Sequence, residues 1–425
     1  MSSGAYVNLG PSVVVEGPLV VNAGGVKLNG GQYSAPLTVT KTGAMNDDGS
    51  GNNVFDDRVE LTNAGTGYLM TSNSTFDTFN DDAVFTSTSS GLVYVAQNDT
   101  ATLFNGDVRV NSTSTGGVRF GGGNGLCRLA AGHTISVGST GFTSGGLFLR
   151  RVIQLGDDSI NLNAATGTAL LTLSTGCSFS GSLNVNFPQV LLNGITCERD
   201  AVVEKNGAST NSSAGGNVFN GRVTFVNSGS GTFQLAGTSG DDYNDDVVFR
   251  QTGSGPLQPA SIASCTFAGS ITVEGTASSM IFSNGSTADV VFDGAGEQSF
   301  NINGSTTTTF RRMTMNNTSG LRLNAPLNIS HKLVLNAGVV YTSGNNLIII
   351  GSAVSSVQNA SSSSYVDGPL RRTGNAAFSY PVGKNGKLRP VTVDGSSSAS
   401  DQFTAEYFDL NPDVQWKTNN KISTL

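Results

Sequence analysis

One short phrase recurs through this chain and limits what it can fold into. FNDDAVF at 79–85 is answered 164 positions later by YNDDVVF at 243–249, and around them stand FDDRVEL (55–61), FNGDVRV (104–110), FNGRVTF (219–225) and FAGSITV (267–273). The heads of the phrase fall at Val15, Tyr33, Phe55, Phe79 and Phe104, spaced by 18, 22, 24 and 25 residues. They fall again at Phe179, Cys197, Phe219, Tyr243 and Phe267, spaced by 18, 22, 24 and 24. Without a gap, 22 of the 53 positions in 39–91 are identical to those in 203–255. A long duplication, 15–110 and 179–273, therefore contains a shorter one.

Each short unit reads as strand, turn, strand. In FNGRVTF the side chains of Phe219, Val223 and Phe225 share one face, and a Gly/Ser/Asn turn such as NSGSG (227–231) follows. No stretch longer than a turn carries a helical period, and the glycine and β-branched content works against helices. A unit of this length cannot bury its own apolar face, whereas stacked units pairing in register can. The expected fold is all-β: a β-solenoid, specifically a parallel β-helix with coils of about 18–25 residues and the aromatic heads stacked inside. A β-sandwich array is the alternative, and a β-propeller is disfavoured because its blades repeat at about 40 residues or more. Later units begin near Val291, Phe310 and Ile329. The polar break NASSSS (359–364) marks an expected boundary between a solenoid over 1–358 and a C-terminal β segment over 359–425, read as the start of a further domain.

Composition narrows the function classes. Charged residues are 12% of the chain and the net charge is −7, with no Lys/Arg run longer than a pair. Nucleic acid is thus an unsuitable partner, since binding it needs a basic face to replace the counterions of the phosphates. No apolar stretch reaches the length of a membrane span, so no membrane insertion is expected. The start, MSSGAYVNLG, lacks the basic and apolar regions of a secretory signal, and the native polypeptide is expected to carry an export signal not shown here. Cys127, Cys177, Cys197 and Cys265 lie far apart without metal-ligand spacing and are expected as buried thiols.

Few residues offer chemistry. The acidic tips Asp81, Asp82, Asp245 and Asp246 recur at the same point of each long repeat, and Asp77 matches Asp241. Clustered carboxylates with turn carbonyls suit Ca²⁺, the one ion these positions would take, but neither calcium loop motif is present. Asp and Asn also cap turns, and capping is the expectation; no other cofactor is implied. The singular residues are His133, His331 and the pair Arg150-Arg151; the histidines are read as ordinary turn or surface groups, and no catalytic set stands out. Tyr68, Tyr94 and Phe233 lie near coil tips and are expected in the core.

Phrases such as GGNVFNGRVTFVNSGSGTFQLAG and the junction SSSSYVDGPLRRTGNAAFSYPVGKNGKLRPVTV (361–393) resemble large repeat-containing secreted surface proteins of gliding-type bacteria, exported by the type IX route. The resemblance implies an extracellular, cell-surface, adhesive or fibre-forming segment of a longer polypeptide, and transfers no catalytic residue. Self-association is the expected partnership, because a low-charge, Asn/Thr-rich exterior offers little repulsion. Binding to surface glycans is the alternative, and a polysaccharide-degrading enzyme is the less favoured third.

Overall fold

The computed structural model describes residues 5–98, 101–163, 165–276, 279–283, 285, 287–354 and 357–409. Its all-β chain divides into two compact units, Met1–Ala288 with Asn303–Thr306, and Asp289–Ile302 with Thr307–Leu425.

The first unit is a parallel β-solenoid whose coils each carry three short strands. A head strand ends on an inward side chain, as in Val54–Phe55, Thr78–Phe79 and Thr102–Phe104. A polar turn leads to a body strand of five residues, such as Val59–Asn63, Ala83–Ser87 and Val108–Ser112. After a Gly/Ser corner comes a third strand, such as Leu69–Met70, Leu92–Val95 and Gly117–Phe120. Neighbouring coils pair parallel and in register, Ala83 lying between Val59 and Val108 and Phe85 between Leu61 and Val110. Body strands from Leu19–Ala23 to Ile271–Gly275 form one continuous ladder. Coil length along it runs from 18 residues (Leu19 to Leu37) to 27 (Val108 to Ile135). The expected 18–25 was slightly narrow: the turn from Leu129 to Ile135 is longer than that from Phe104 to Val108, and within Ile135–Phe142 a bulge takes up further residues. Such bulges absorb extra residues without shifting the rest of the ladder.

Alternation places every second residue inside. In Leu37–Lys41 the inward set is Leu37, Val39 and Lys41, and in Val223–Asn227 it includes Val223, Phe225 and Asn227. Heads stack as expected: Tyr33, Phe55, Phe79 and Phe104 follow one another at centroid distances of 5.0, 4.7 and 4.7 Å, nearly parallel. The second copy repeats the column with Phe219, Tyr243 and Phe267 at 5.5 and 4.8 Å. Rings on the body strands meet the column edge-on, Phe85 against Phe79 and Phe225 against Phe219. Each such pair adds roughly 0.5–1.5 kcal/mol beyond burial. Cys197 stands in the column between Phe179 and Phe219, and all four cysteines are free and buried.

In the second unit parallel pairing runs from Val290–Phe292 through Thr307–Asn316, Leu327–Ala337 and Ile348–Ile350 to Leu370–Thr373. Parallel coils thus continue beyond the polar break at 359–364. Antiparallel pairing follows, joining Leu370–Thr373 to Gln402–Ala405 and Phe378–Tyr380 to Val391–Val393. The only tryptophan, Trp416, lies outside the described residues.

Phe79 is fully buried with ring neighbours on both sides, whereas Phe76 is 48% exposed. In urea unfolding, Phe79→Ala is expected to lose about 3–5 kcal/mol, and Phe76→Ala about 0.5 kcal/mol or less. Equal losses would contradict the column.

Candidate functional site

Parallel coils turn sharply at each corner, and the corners leave carbonyl groups facing inward. Side chains at the end of the body strand satisfy them. Lys41, fully buried, donates from Nζ to Gly43 O (2.7 Å) and Gly67 O (2.9 Å). At the next rung Asn63 donates to Gly67 O and Leu92 O, and Ser87 then donates to Gly91 O. The second copy repeats the device, with Lys205 on Gly207 O and Gly231 O and Asn227 on Gly231 O and Gly255 O. Burial lowers the pKa of both lysines, and in the first copy the nearby Asp47 carboxylate opposes the fall. The second copy has Asn211 where the first has Asp47, so no carboxylate opposes the fall at Lys205, whose bonds go to carbonyls alone.

A second polar ladder lies at the entry to the head strand. Asn53 accepts from the N–H groups of Gly30 and Gly31 and donates from both N and Nδ2 to Asp77 Oδ1, at 2.9 and 2.8 Å. Asn217 repeats this with Gly194, Ile195 and Asp241, again at 2.9 and 2.8 Å to the carboxylate. Asp241 is fully enclosed. Burial raises its pKa to about 7 against the pull of the Asn217 donors, so near neutrality it is partly an uncharged acid. These groups are structural, since each is sealed from any ligand.

The acidic tips act as turn caps. Asp81 Oδ1 accepts from Asp82 N–H and Asp245 Oδ1 from Asp246 N–H. Asp82 reaches the following coil, where Oδ1 accepts from Asp107 N–H (3.0 Å) and Oδ2 from Arg109 (2.6 Å). Asp246 Oδ1 likewise accepts from Ser270 N–H at 2.7 Å. Burial pushes the Asp82 carboxyl up, but Arg109 and the Asp107 N–H outweigh it and hold it below the usual range. Among the described residues no group of three or more His, Cys, Asp or Glu is placed to hold a metal ion. His133 lies 3.6 Å from Asp107, while His331 is exposed on a separate strand of the second unit.

Sequence reasoning misplaced two aromatics. Phe233 is core as expected, but Tyr68 and Tyr94 stand half-buried on the outside of the third strands, edge to face at 5.3 Å. Tyr68 donates to Asp48 Oδ1, and that bond, with burial, lifts its pKa to about 12. Register continues the file outward of the sheet through Tyr94, Arg119 and Phe148 on successive coils. The Arg119 guanidinium lies 5.4 Å from the Tyr94 ring centre and 4.8 Å from that of Phe148. Phe148 lies across Gly146, where a Cβ would come within 2.3 Å of the ring. The signal was available: in Gly117–Phe120, Val118 and Phe120 face in, so Arg119 must face out, and Tyr94 and Phe148 share its rung.

No family model, no curated protein and no solved structure matches the chain.

Asp241 yields a pH prediction. Its folded pKa lies above the unfolded value of about 3.9, so its contribution to stability is fully present below about pH 4 and is lost as pH rises through 7. Asp241→Asn keeps an acceptor for Asn217 and removes that loss. Urea midpoints should show the variant about 1–3 kcal/mol more stable than the parent at pH 8, with the gap closing at pH 4. A gap independent of pH would contradict the assignment.

Proposed function

We propose that this chain is a structural and adhesive segment of an extracellular cell-surface fibre that associates with copies of itself. The observation that carries the reading is what the two long repeats keep in common. Identical or near-identical at the offset of 164 are the inward column (Phe55 and Phe219, Phe79 and Tyr243), the corner donors (Lys41 and Lys205, Asn63 and Asn227) and the entry ladder (Asn53 and Asn217, Asp77 and Asp241). The caps Asp81, Asp82, Asp245 and Asp246 are kept too. Apart from Asp81 and Asp245, which cap their own turns, these groups hold coil to coil. By contrast, the outward file Tyr68, Tyr94 and Arg119 has no counterpart at that offset, where Thr232, Gln258 and Ser283 stand. What was retained after duplication is therefore the stacking, and a repeated scaffold serves by its stiffness and extended surface.

The likeness of the repeats and of the 361–393 junction to type IX-exported surface proteins supports an extracellular setting. A sparsely charged exterior with outward Thr and Asn favours lateral association. Light scattering of the purified chain over a concentration series tests this, with and without Ca²⁺. A discrete oligomer or growing particles is the expected result, unchanged by Ca²⁺ because the tip carboxylates are occupied as caps. A monomer at every concentration would overturn self-association, and a Ca²⁺-dependent mass would overturn the capping assignment.

A further inference from the structure

One place on the first unit departs from the repeat and presents unused chemistry. A groove of about 250 Å³ opens on the third-strand face, lined by Arg119, Phe148, Arg150, Ser174 and the glycine run 121–123. Its lining holds two guanidinium groups and no carboxylate, in a chain whose net charge is −7. Three other arginines of the first unit form ion pairs, Arg58 with Glu60, Arg109 with Asp82 and Arg250 with Glu274, while Arg128, Arg151, Arg199 and Arg222 form none with a described residue. Neither Arg119 nor Arg150 forms an ion pair with a described residue.

The groove is also braced. Arg119 is held between the rings of Tyr94 and Phe148, which fixes its planar fork while leaving its N–H donors free. Arg151 takes a left-handed conformation (φ 51°), which costs a non-glycine residue roughly 1–2 kcal/mol. Its guanidinium donates to Asn124 O at 3.0 Å, tying the glycine run to the next coil. Gly121 and Gly122 donate to Val95 O and Ala96 O of the previous coil, while the exposed Gly123 N–H donates to no described residue. One edge of the groove therefore offers fixed donors for an anion, and the other a half-buried ring lying flat against the sheet.

We propose that this groove binds a carboxylate-bearing sugar unit of an acidic polysaccharide. Arg119 and Arg150 take the carboxylate, a group that guanidinium matches with paired hydrogen bonds. The solvent-facing edge of the Phe148 ring packs against the sugar's C–H surface, the Gly123 N–H donates to a hydroxyl oxygen, and Ser174 Oγ, which itself donates to Leu149 O, accepts from a hydroxyl. The volume is below the roughly 300–1,000 Å³ of a drug-sized pocket and suits a single ring. Coils rise by about 4.8 Å, comparable with one pyranose unit, so neighbouring sugars of the same chain pass over Tyr94, which shares the rung of Arg119 and Phe148. The inference specifies a ligand for the adhesive part of the proposed function and does not depend on self-association.

The test is titration calorimetry of the full 425-residue chain with oligogalacturonate, with neutral oligogalactose of the same length and with dextran sulfate. Saturable binding of oligogalacturonate is expected, at least tenfold tighter than either comparison. Arg150→Gln and Phe148→Ala should each weaken it tenfold or more, with Arg150→Gln leaving the thermal midpoint unchanged. Absence of binding overturns the proposal, as does binding indifferent to both substitutions or equal binding of dextran sulfate. A monomeric chain that still binds the uronate would remove self-association and leave the groove standing.

Discussion

A parallel coil cannot satisfy its own backbone, and the structure depends on each coil handing its N–H and C=O groups to the next. In-register pairing does this along the body strands, where Val59, Ala83 and Val108 share one rung. Register is fixed by what lies inside, because a one-residue slip would turn every inward side chain out. The stacked rings of Tyr33, Phe55, Phe79 and Phe104 make such a slip costly and align successive coils. Once that column is set, variation in coil length falls into the turns and bulges.

The corners pose the harder problem, since three strands per coil require the chain to turn inward-facing carbonyls away from water. Buried carbonyls need donors. Lys41, Asn63 and Ser87 supply them at three successive rungs with three different side chains, and Lys205 and Asn227 do so in the second copy. Burying an ammonium is expensive unless it is bonded, and both lysines are bonded to two carbonyls each. At the entry to the head strand Asn53 and Asn217 use all their capacity on neighbouring coils, with a buried aspartate as acceptor. The solenoid is thus held by an apolar column on one side and by repeated polar ladders at its bends.

Much of this was legible in the sequence. The aromatic heads, the offset of 164 and the alternation gave a parallel β-solenoid, and Cys197 was placed inside because it occupies the position of Tyr33. Capping by Asp81 and Asp245 followed from residue type and turn position. The buried lysines were not read, although Lys41 shares the phase of Leu37 and Val39 and recurs as Lys205; a charge at a strand end reads by default as solvent-exposed. Tyr68 and Tyr94 were misplaced because an aromatic reads as core unless the phase of its own short strand is followed. Arg150 and Arg151 were noted as singular, but the groove they help form needs side chains from neighbouring coils that lie far apart in sequence. Only the register brings Arg119, Phe148 and Arg150 together.

Native-state amide hydrogen exchange, resolved by residue, tests the central claim most directly. If coil-to-coil pairing around a repeated interior holds the first unit together, the slowest amides will lie in Val59–Asn63 and Ala83–Ser87 and in their counterparts Val223–Asn227 and Val247–Gln251. Protection factors should then keep the same rank order in the two copies, with the exposed turn amides exchanging far faster. Exchange of either set at the rate of the turns would contradict the account, because the two copies would not share one mode of stacking.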